Sequence, residues 1–251
     1  MAELYVLQVI YMDKTKIKLI AFDLDGTLTQ HKTPLSPEHR AILTQLSKNY
    51  KLLMAGAGMC QRIFNQMEKF PIDILGNYGL QYAEYRPETG EIEILENHTF
   101  PCDRESVEAR VTALRQKYGF TEFAGDNVEF HASGCVTIPL LGTKAKQEDK
   151  LAFDPDRSKR RAIYEEVKQL FNDYVVFVGG SSSFDMAPKP YSKAYALEKY
   201  CQERGIAPDE VVYVGDDYGP GGNDESVYLS DFNFLTIDDY RDFPQVIAPL
   251  L

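Results

Sequence analysis

Short apolar runs alternate with amphipathic stretches along the first eighty residues. The run "IKLIAF" (17–22) is continuous, the pattern of a parallel strand covered on both faces. "SPEHRAILTQLSK" predicts a helix with Ser36 as N-cap, Pro37 in the first turn and Glu38 after it. "YKLLMAG" reads as a second buried strand, "CQRIFNQMEKF" as a helix stopped by Pro71, and "DILGNYG" as a third strand. This β-α-β-α-β order predicts an α/β fold with a doubly wound parallel sheet.

The rhythm then changes. "LQYAEYRPETGEIEIL" alternates around a turn with Pro87 and Gly90, which predicts an antiparallel hairpin. "DRESVEARVTALRQKYG" predicts an amphipathic helix ended by Gly119, and "NVEFHASGCVTIPLL" two strands across Ser133 and Gly134. "TKAKQEDKLAFDPDRS" reads as a charged loop, "DRSKRRAIYEEVKQLF" as one helix, and "YVVFV" and "SSFDMAP" as strands. After Pro188 the α/β alternation returns with the helix "KAYALEKYCQERG", the strand "EVVYVGDD" and the short helix "NDESVYLS", and "DFNFLTI" and "YRDFPQVIAPLL" complete the fold. The expected organisation is a discontinuous core, 1–83 plus 188–251, with an α+β insertion over 84–187. Residues 1–12 read as an extra strand or an upstream extension, and Met12 is a second candidate start because the strong pattern begins only at Ile17.

The first strand ends on "DLDGT". In an extended segment residues i and i+2 share a face, so Asp23 and Asp25 point one way while Leu24 returns to the core. Gly26 permits a sharp turn, and Thr27 and Thr29 place hydroxyls beside it. A lone Asp here is readily a turn former or helix cap. A second strand, however, also ends on acids, "VVYVGDDYGPGGND". Two central strands of this kind would crowd Asp216, Asp217 and Asp224 against Asp23 and Asp25. Clustered carboxylates raise one another's pKa, and a hard divalent cation such as Mg²⁺ relieves that. With the ion bound, Asp23 is a nucleophile toward phosphorus, and Asp25 protonates the leaving oxygen and then activates water.

Charge and cysteine usage narrow the partners. The chain of 251 residues carries 27 basic and 38 acidic side chains, net −11, which disfavours nucleic acid and anionic membranes but not a small phosphorylated substrate in a local pocket. The apolar runs are too short to span a bilayer. Cys60, Cys102, Cys135 and Cys201 are scattered without metal spacing, as for reduced, buried thiols of a cytoplasmic protein.

"DLDGT" resembles the signature of the haloacid dehalogenase superfamily of phosphohydrolases. The resemblance implies Asp23 as nucleophile and metal ligand, and Asp25 as acid/base with its backbone carbonyl on the metal. "GDDYGPGGND" resembles the terminal acidic motif in the form found in eukaryotic-type phosphomannomutases, which implies Asp216, Asn223 and Asp224 as further metal residues. "FDMAPKPYSKAYAL" resembles the region with the phosphate-binding lysine, here Lys193, and "SSSFDMAPK" places Ser183 and Asp185 where the family contacts sugar hydroxyls. Lys189 would add a substrate-facing charge. The insertion resembles the class IIB cap shared with sucrose-phosphate phosphatases. The implied fold is therefore a Rossmannoid core with an inserted α+β cap.

Two departures shape the expected activity. The loop "LLMAGAGMC" carries no Ser or Thr where the family offers a hydroxyl to the phosphoryl group. Backbone N–H groups around Gly56 and Ala57, at the start of the next helix, are expected to take that role, unless the glycines serve only to close the turn. In "FHASGCVTIPLLGTK", His131 and Thr143 stand where a mutase would have arginines for the distal phosphate of a bisphosphate sugar. The sequence thus favours a Mg²⁺-dependent phosphatase of a phosphorylated sugar. A phosphomannomutase-like mutase is the alternative, and a regulatory protein that has kept the fold is a third.

Overall fold

The computed structural model describes residues 12–251. The strand or extension expected at the start thus lies outside the described residues apart from Met12, which is buried in the core. In chain order the elements are β1 (Leu19–Phe22), α1 (Pro37–Leu46), β2 (Lys51–Ala55), α2 (Cys60–Gln66), β3 (Asp73–Gly76), β4 (Gln81–Arg86) and β5 (Glu91–Asn97). Next come α3 (Arg104–Tyr118), β6 (Glu129–Phe130), β7 (Val136–Pro139), α4 (Gln147–Phe153), α5 (Ser158–Arg161), α6 (Tyr164–Leu170), β8 (Tyr174–Phe177) and β9 (Ser183–Pro188). The chain closes with α7 (Lys193–Arg204), β10 (Val211–Gly215), α8 (Glu225–Tyr228), β11 (Asn233–Thr236) and α9 (Phe243–Ile247).

The chain divides into two compact units. One takes the chain up to Asn97 with Lys193–Gly219 and Asp224–Leu251; the other takes His98–Ser192 and Pro220–Asn223. The first is built on a seven-stranded sheet ordered β11-β10-β1-β2-β3-β4-β5. Its pairings are parallel from β11 to β3 and antiparallel through β4 and β5. Every residue of β1 is buried. Ile20 and Phe22 pack with Leu43, Phe64 and Phe243 on one face, whereas Leu19 and Ala21 pack with Leu197, Tyr200 and Val227 on the other. Helices on both faces explain why the strand reads as a continuous apolar run. Ser36 caps α1 through its hydroxyl, which accepts from the His39 N–H at 3.1 Å.

The hairpin of β4 and β5 extends this first sheet, since β4 pairs with β3 through Ile74 and Ala83. It therefore lies outside the second unit, although the sequence reading, with its boundary at 83/84, placed all of it after residue 83 in the insertion. A hairpin announces antiparallel pairing with itself, not which sheet its outer partner belongs to.

The second unit has a four-stranded antiparallel sheet, β6-β7-β9-β8. Val136, Ile138, Phe184 and Met186 pack against Val107, Val111 and Leu114 of α3 and Val167 of α6. Thr137 and Asp185, which pair in register, alternate with those residues and occupy the opposite face. The expected charged loop contains α4, a helix with no buried residue. Good helix formers and Glu148 and Asp149 in its first turn favour it without an apolar face to announce it. The single helix expected after it is broken into α5 and α6. Arg160, wholly buried, bonds Asp154 Oδ2 through Nε at 2.8 Å and the carbonyls of Gly179, Gly180 and Ser183 through Nη1. That network ties α5 to the loop before β9.

Candidate active site

In the first sheet, strand order reverses between β1 and β10, and ligands of open α/β sheets sit beyond the carboxyl ends at such a point. Asp23 leaves β1 there, its N–H still bonded to Val214 O at 3.0 Å, and Asp216 and Asp217 leave β10. Gly26 has φ +102°, and a Cβ on it would lie 2.4 Å from Asp216 Oδ2. Only glycine lets the two turns approach this closely. Thr27 Oγ1 then donates to Asp216 Oδ1 at 2.8 Å.

Lys193, the first residue of α7, is buried with its ammonium 2.7 Å from Asp23 Oδ1 and 2.8 Å from Asp224 Oδ1. Asp224 is further held by the Tyr213 hydroxyl on Oδ1 at 2.5 Å and by the Asp217 N–H on Oδ2 at 3.0 Å. Asp23, Asp216 and Asp224 each bring an oxygen within 4.8 Å of the others. Burial raises Asp23 to about 6 against the pull of Lys193, with Asp224 adding repulsion. Asp216 rises further, to about 8, from burial first and then from Asp23 and Asp224. Burial opposes the Lys193 charge, but Asp224 and Asp23 outweigh it and hold the ammonium above its ordinary range. Lys193 thus balances part of the negative charge and leaves Asp216 strongly disfavoured as a carboxylate. Hard oxygen donors with one such excess charge fit a divalent cation of the Mg²⁺ type.

Asp25 has a different setting. Its carboxylate accepts from the Lys32 N–H at 2.7 Å, from Gln66 Nε2 at 2.6 Å, and from Arg62 Nη1 and Nη2 at 3.3 and 3.2 Å. Burial would raise it, but Gln66, the Lys32 N–H and Arg62 together hold it below the ordinary range. The Asp25 side chain is therefore engaged with α2 and is not part of the three-carboxylate group.

Other expected residues fall in different places. The Gly56 N–H is bonded to Leu75 O at 2.9 Å, so it is committed to the sheet and not free for phosphate. Ala57 is half-buried in the same bend. Asn223 groups with the second unit, unlike Asp224. In that unit Ser183 Oγ lies 3.5 Å from Asp185 Oδ1 and donates to Gly179 O at 3.1 Å, while His131 Nε2 meets Thr137 Oγ1 at 3.1 Å. Burial raises Asp185, opposed by a hydrogen bond from Thr137 and the nearby His131. Lys189 is exposed beyond the end of β9 beside Asp173, four residues from Asp185, and is not in this cluster. Thr143 instead bonds the Asp126 N–H through Oγ1 at 2.9 Å. His39 is buried against Phe243 with Nδ1 2.8 Å from Leu28 O.

Sequence reasoning missed Tyr213, Arg62 and Gln66. The one available signal for the last two was their i, i+4 spacing, which puts both on one face of α2. Tyr213 sat inside an apolar run and looked like core.

A Rossmannoid sheet with this acid–lysine cluster at its switch point is the arrangement that the resemblance to the haloacid dehalogenase superfamily implies. Comparison with known proteins agrees. The IMP-nucleotidase of Plasmodium falciparum superposes with a TM-score of 0.69 at 14% identity, over 98% of this chain and 71% of that one. A phosphatase of the haloalkanoate superfamily from Bacteroides thetaiotaomicron gives 0.62 at 15% identity, over 94% and 96%. The family model "Eukaryotic phosphomannomutase" matches residues 120–238. A probable phosphomannomutase of Caenorhabditis elegans is 24% identical, covering 85% of this chain and 87% of its own. The phosphomannomutase of Schizosaccharomyces pombe is 25% identical, with 84% and 85% covered. In sequence the chain is similar to eukaryotic phosphomannomutases over most of its length, and in fold to phosphatases of the haloacid dehalogenase superfamily.

Proposed function

We propose that this protein transfers the phosphoryl group of a phosphorylated sugar to Asp23, with Mg²⁺ as cofactor. The observation that carries this reading is Lys193 bridging Asp23 and Asp224, with an Asp216 carboxyl that burial and its neighbours push to about 8. An Asp23 oxygen forms a bond to phosphorus as the bond from phosphorus to the sugar oxygen breaks. The leaving oxygen takes its proton from the protonated form of Asp25, which the contacts with Gln66, the Lys32 N–H and Arg62 make the minority form. Held as a carboxylate by α2, Asp25 is suited to removing the proton from the next acceptor, whether water or a sugar hydroxyl. Lys193 offsets negative charge on Asp23 and on the transferred group. Mg²⁺ held by Asp23 and Asp216 would supply further neutralisation of the phosphoryl oxygens. The second unit, His98–Ser192, acts as the part that reads the sugar, with Asp185 and Ser183 as hydroxyl contacts.

The curated relatives are named phosphomannomutases, and this favours return of the phosphoryl group to a sugar hydroxyl over the net hydrolysis that the sequence put first. One observation keeps hydrolysis as the second reading. His131 is bonded to Thr137, and Thr143 to Asp126, so neither position offers the bidentate cation that grips a distal phosphate. Mannose or glucose 1-phosphate with Mg²⁺, followed by phosphorus NMR with and without a hexose 1,6-bisphosphate, separates the two. Formation of the 6-phosphate that depends on the bisphosphate establishes the mutase, and free phosphate without it establishes the hydrolase. Neither product, from a panel of phosphosugars, would refute phosphoryl transfer itself.

A further inference from the structure

The loop after β2 has no side-chain donor of its own. Gly56, Ala57, Gly58 and Met59 carry none, the Gly56 N–H is bonded to Leu75 O, and the Cys60 N–H is bonded to Gln81 Oε1 at 3.0 Å. A guanidinium fills the space. A Cβ on Gly58 would lie 2.4 Å from both Nε and Nη2 of Arg62. The Gly58 backbone is outside the left-handed region, so glycine serves there as room for the guanidinium and not for its conformational freedom. Arg62 uses Nη1 and Nη2 on Asp25 and Nη1 again on Gln66 Oε1 at 2.8 Å. An arginine has five N–H donors. Nε–H and the second Nη2 hydrogen therefore have no protein acceptor among the described residues. The Arg62 side chain as a whole remains 44% exposed.

We propose that Arg62 is the phosphoryl-gripping residue of this loop, a guanidinium in place of the donor its side chains lack, latched beside the reacting centre by Asp25. This inference rests on the phosphoryl-transfer reading above. A planar fork with two open donors suits two oxygens of one phosphoryl group. The simpler role, a surface ion pair with Asp25, would leave anion binding untouched and contribute little to stability. The position of Gly58 separates the two, because a methyl there displaces the guanidinium without altering its charge.

The test is calorimetric titration of the full chain, in Mg²⁺, with inorganic phosphate. Arg62→Ala is expected to weaken phosphate binding about tenfold or more. Arg62→Lys, which keeps the charge and the helix but loses the fork, falls between and keeps the test open should Arg62→Ala misfold. Gly58→Ala is expected to weaken binding comparably, and Gly58→Ala with Arg62→Ala to be no worse than Arg62→Ala alone. Unchanged affinity in Arg62→Ala or in Gly58→Ala, or losses that add in the double variant, would overturn the inference while leaving phosphoryl transfer to Asp23 standing. Failure of the unmodified chain to bind phosphate would overturn both together.

Discussion

Asp23 in the first unit and Asp185 in the second are both carboxylates that burial pushes up, yet they are compensated by opposite means. Asp23 has a buried ammonium at 2.7 Å and two further carboxylates around it. Asp185 has the hydroxyls of Thr137 and Ser183, and only the more distant charges of His131 and Arg160. A full ion pair in a low-dielectric site stabilises charge that changes during reaction. Hydroxyls around an acid make a surface that exchanges neutral hydrogen bonds. Under the function proposed above, the difference corresponds to a division of labour: charge-changing chemistry in the first unit, recognition of neutral groups in the second.

The largest break in that comparison is Asp23→Asn. A neutral amide neither attacks phosphorus nor balances Lys193, so turnover is expected to fall by about a thousandfold or more, ~4 kcal/mol of barrier, with the fold kept. A variant that holds more than about a tenth of the activity would end the nucleophile assignment. Lys193→Met comes next, read by urea unfolding without divalent cation. It removes the cation from a buried network and is expected to cost about 3 kcal/mol or more of stability, unlike Lys189→Met at the exposed end of β9. Asp185→Asn sharpens the other side. With a phosphosugar substrate, KM is expected to rise about tenfold while kcat stays within about threefold, because the lost contacts bind the sugar without entering the phosphoryl step. An equal fall in kcat would place Asp185 in the chemistry.

The smallest effect is in pH. Asp23 and Asp216 hold protons more tightly in the folded chain, at about 6 and about 8, than at the ordinary value of 3.8. Between those limits the folded state binds more protons than the unfolded one, so stability is present below about pH 4 and lost as pH rises toward about 8. Without divalent cation the melting temperature should therefore fall across that window by a few degrees on their account. Asp216→Asn should flatten the slope, and added Mg²⁺ should raise the melting temperature most at the alkaline end. A slope that Asp216→Asn leaves unchanged would contradict the placement of that excess charge.

The parts legible in the sequence were those with one inexpensive physical solution. An apolar run ending on acids, as at Asp23 and again at Asp216, is a covered strand that delivers carboxylates to its carboxyl end. Gly26 and Lys193 followed from turn chemistry and from the family resemblance. Arg62 was illegible because its place depends on room left by Gly58, a residue whose absent side chain says nothing until the helix is docked. Helix α4 hid because it buries nothing, and the break between α5 and α6 hid because Arg160, buried on Asp154, stands in the basic run "RSKRR" that carries no sign of burial. The hairpin of β4 and β5 showed its turn but not its sheet.

The central claim is that Asp23 carries the phosphoryl group. The most direct measurement is to mix the protein with a turned-over phosphosugar and Mg²⁺, quench, reduce with borohydride, and read the peptide masses. An aspartyl phosphate is converted to homoserine, so the account predicts that mass change at position 23 and at no other acid. Its appearance at Asp25, Asp216 or Asp224, or turnover with Asp23 unmodified at every time point, would contradict it.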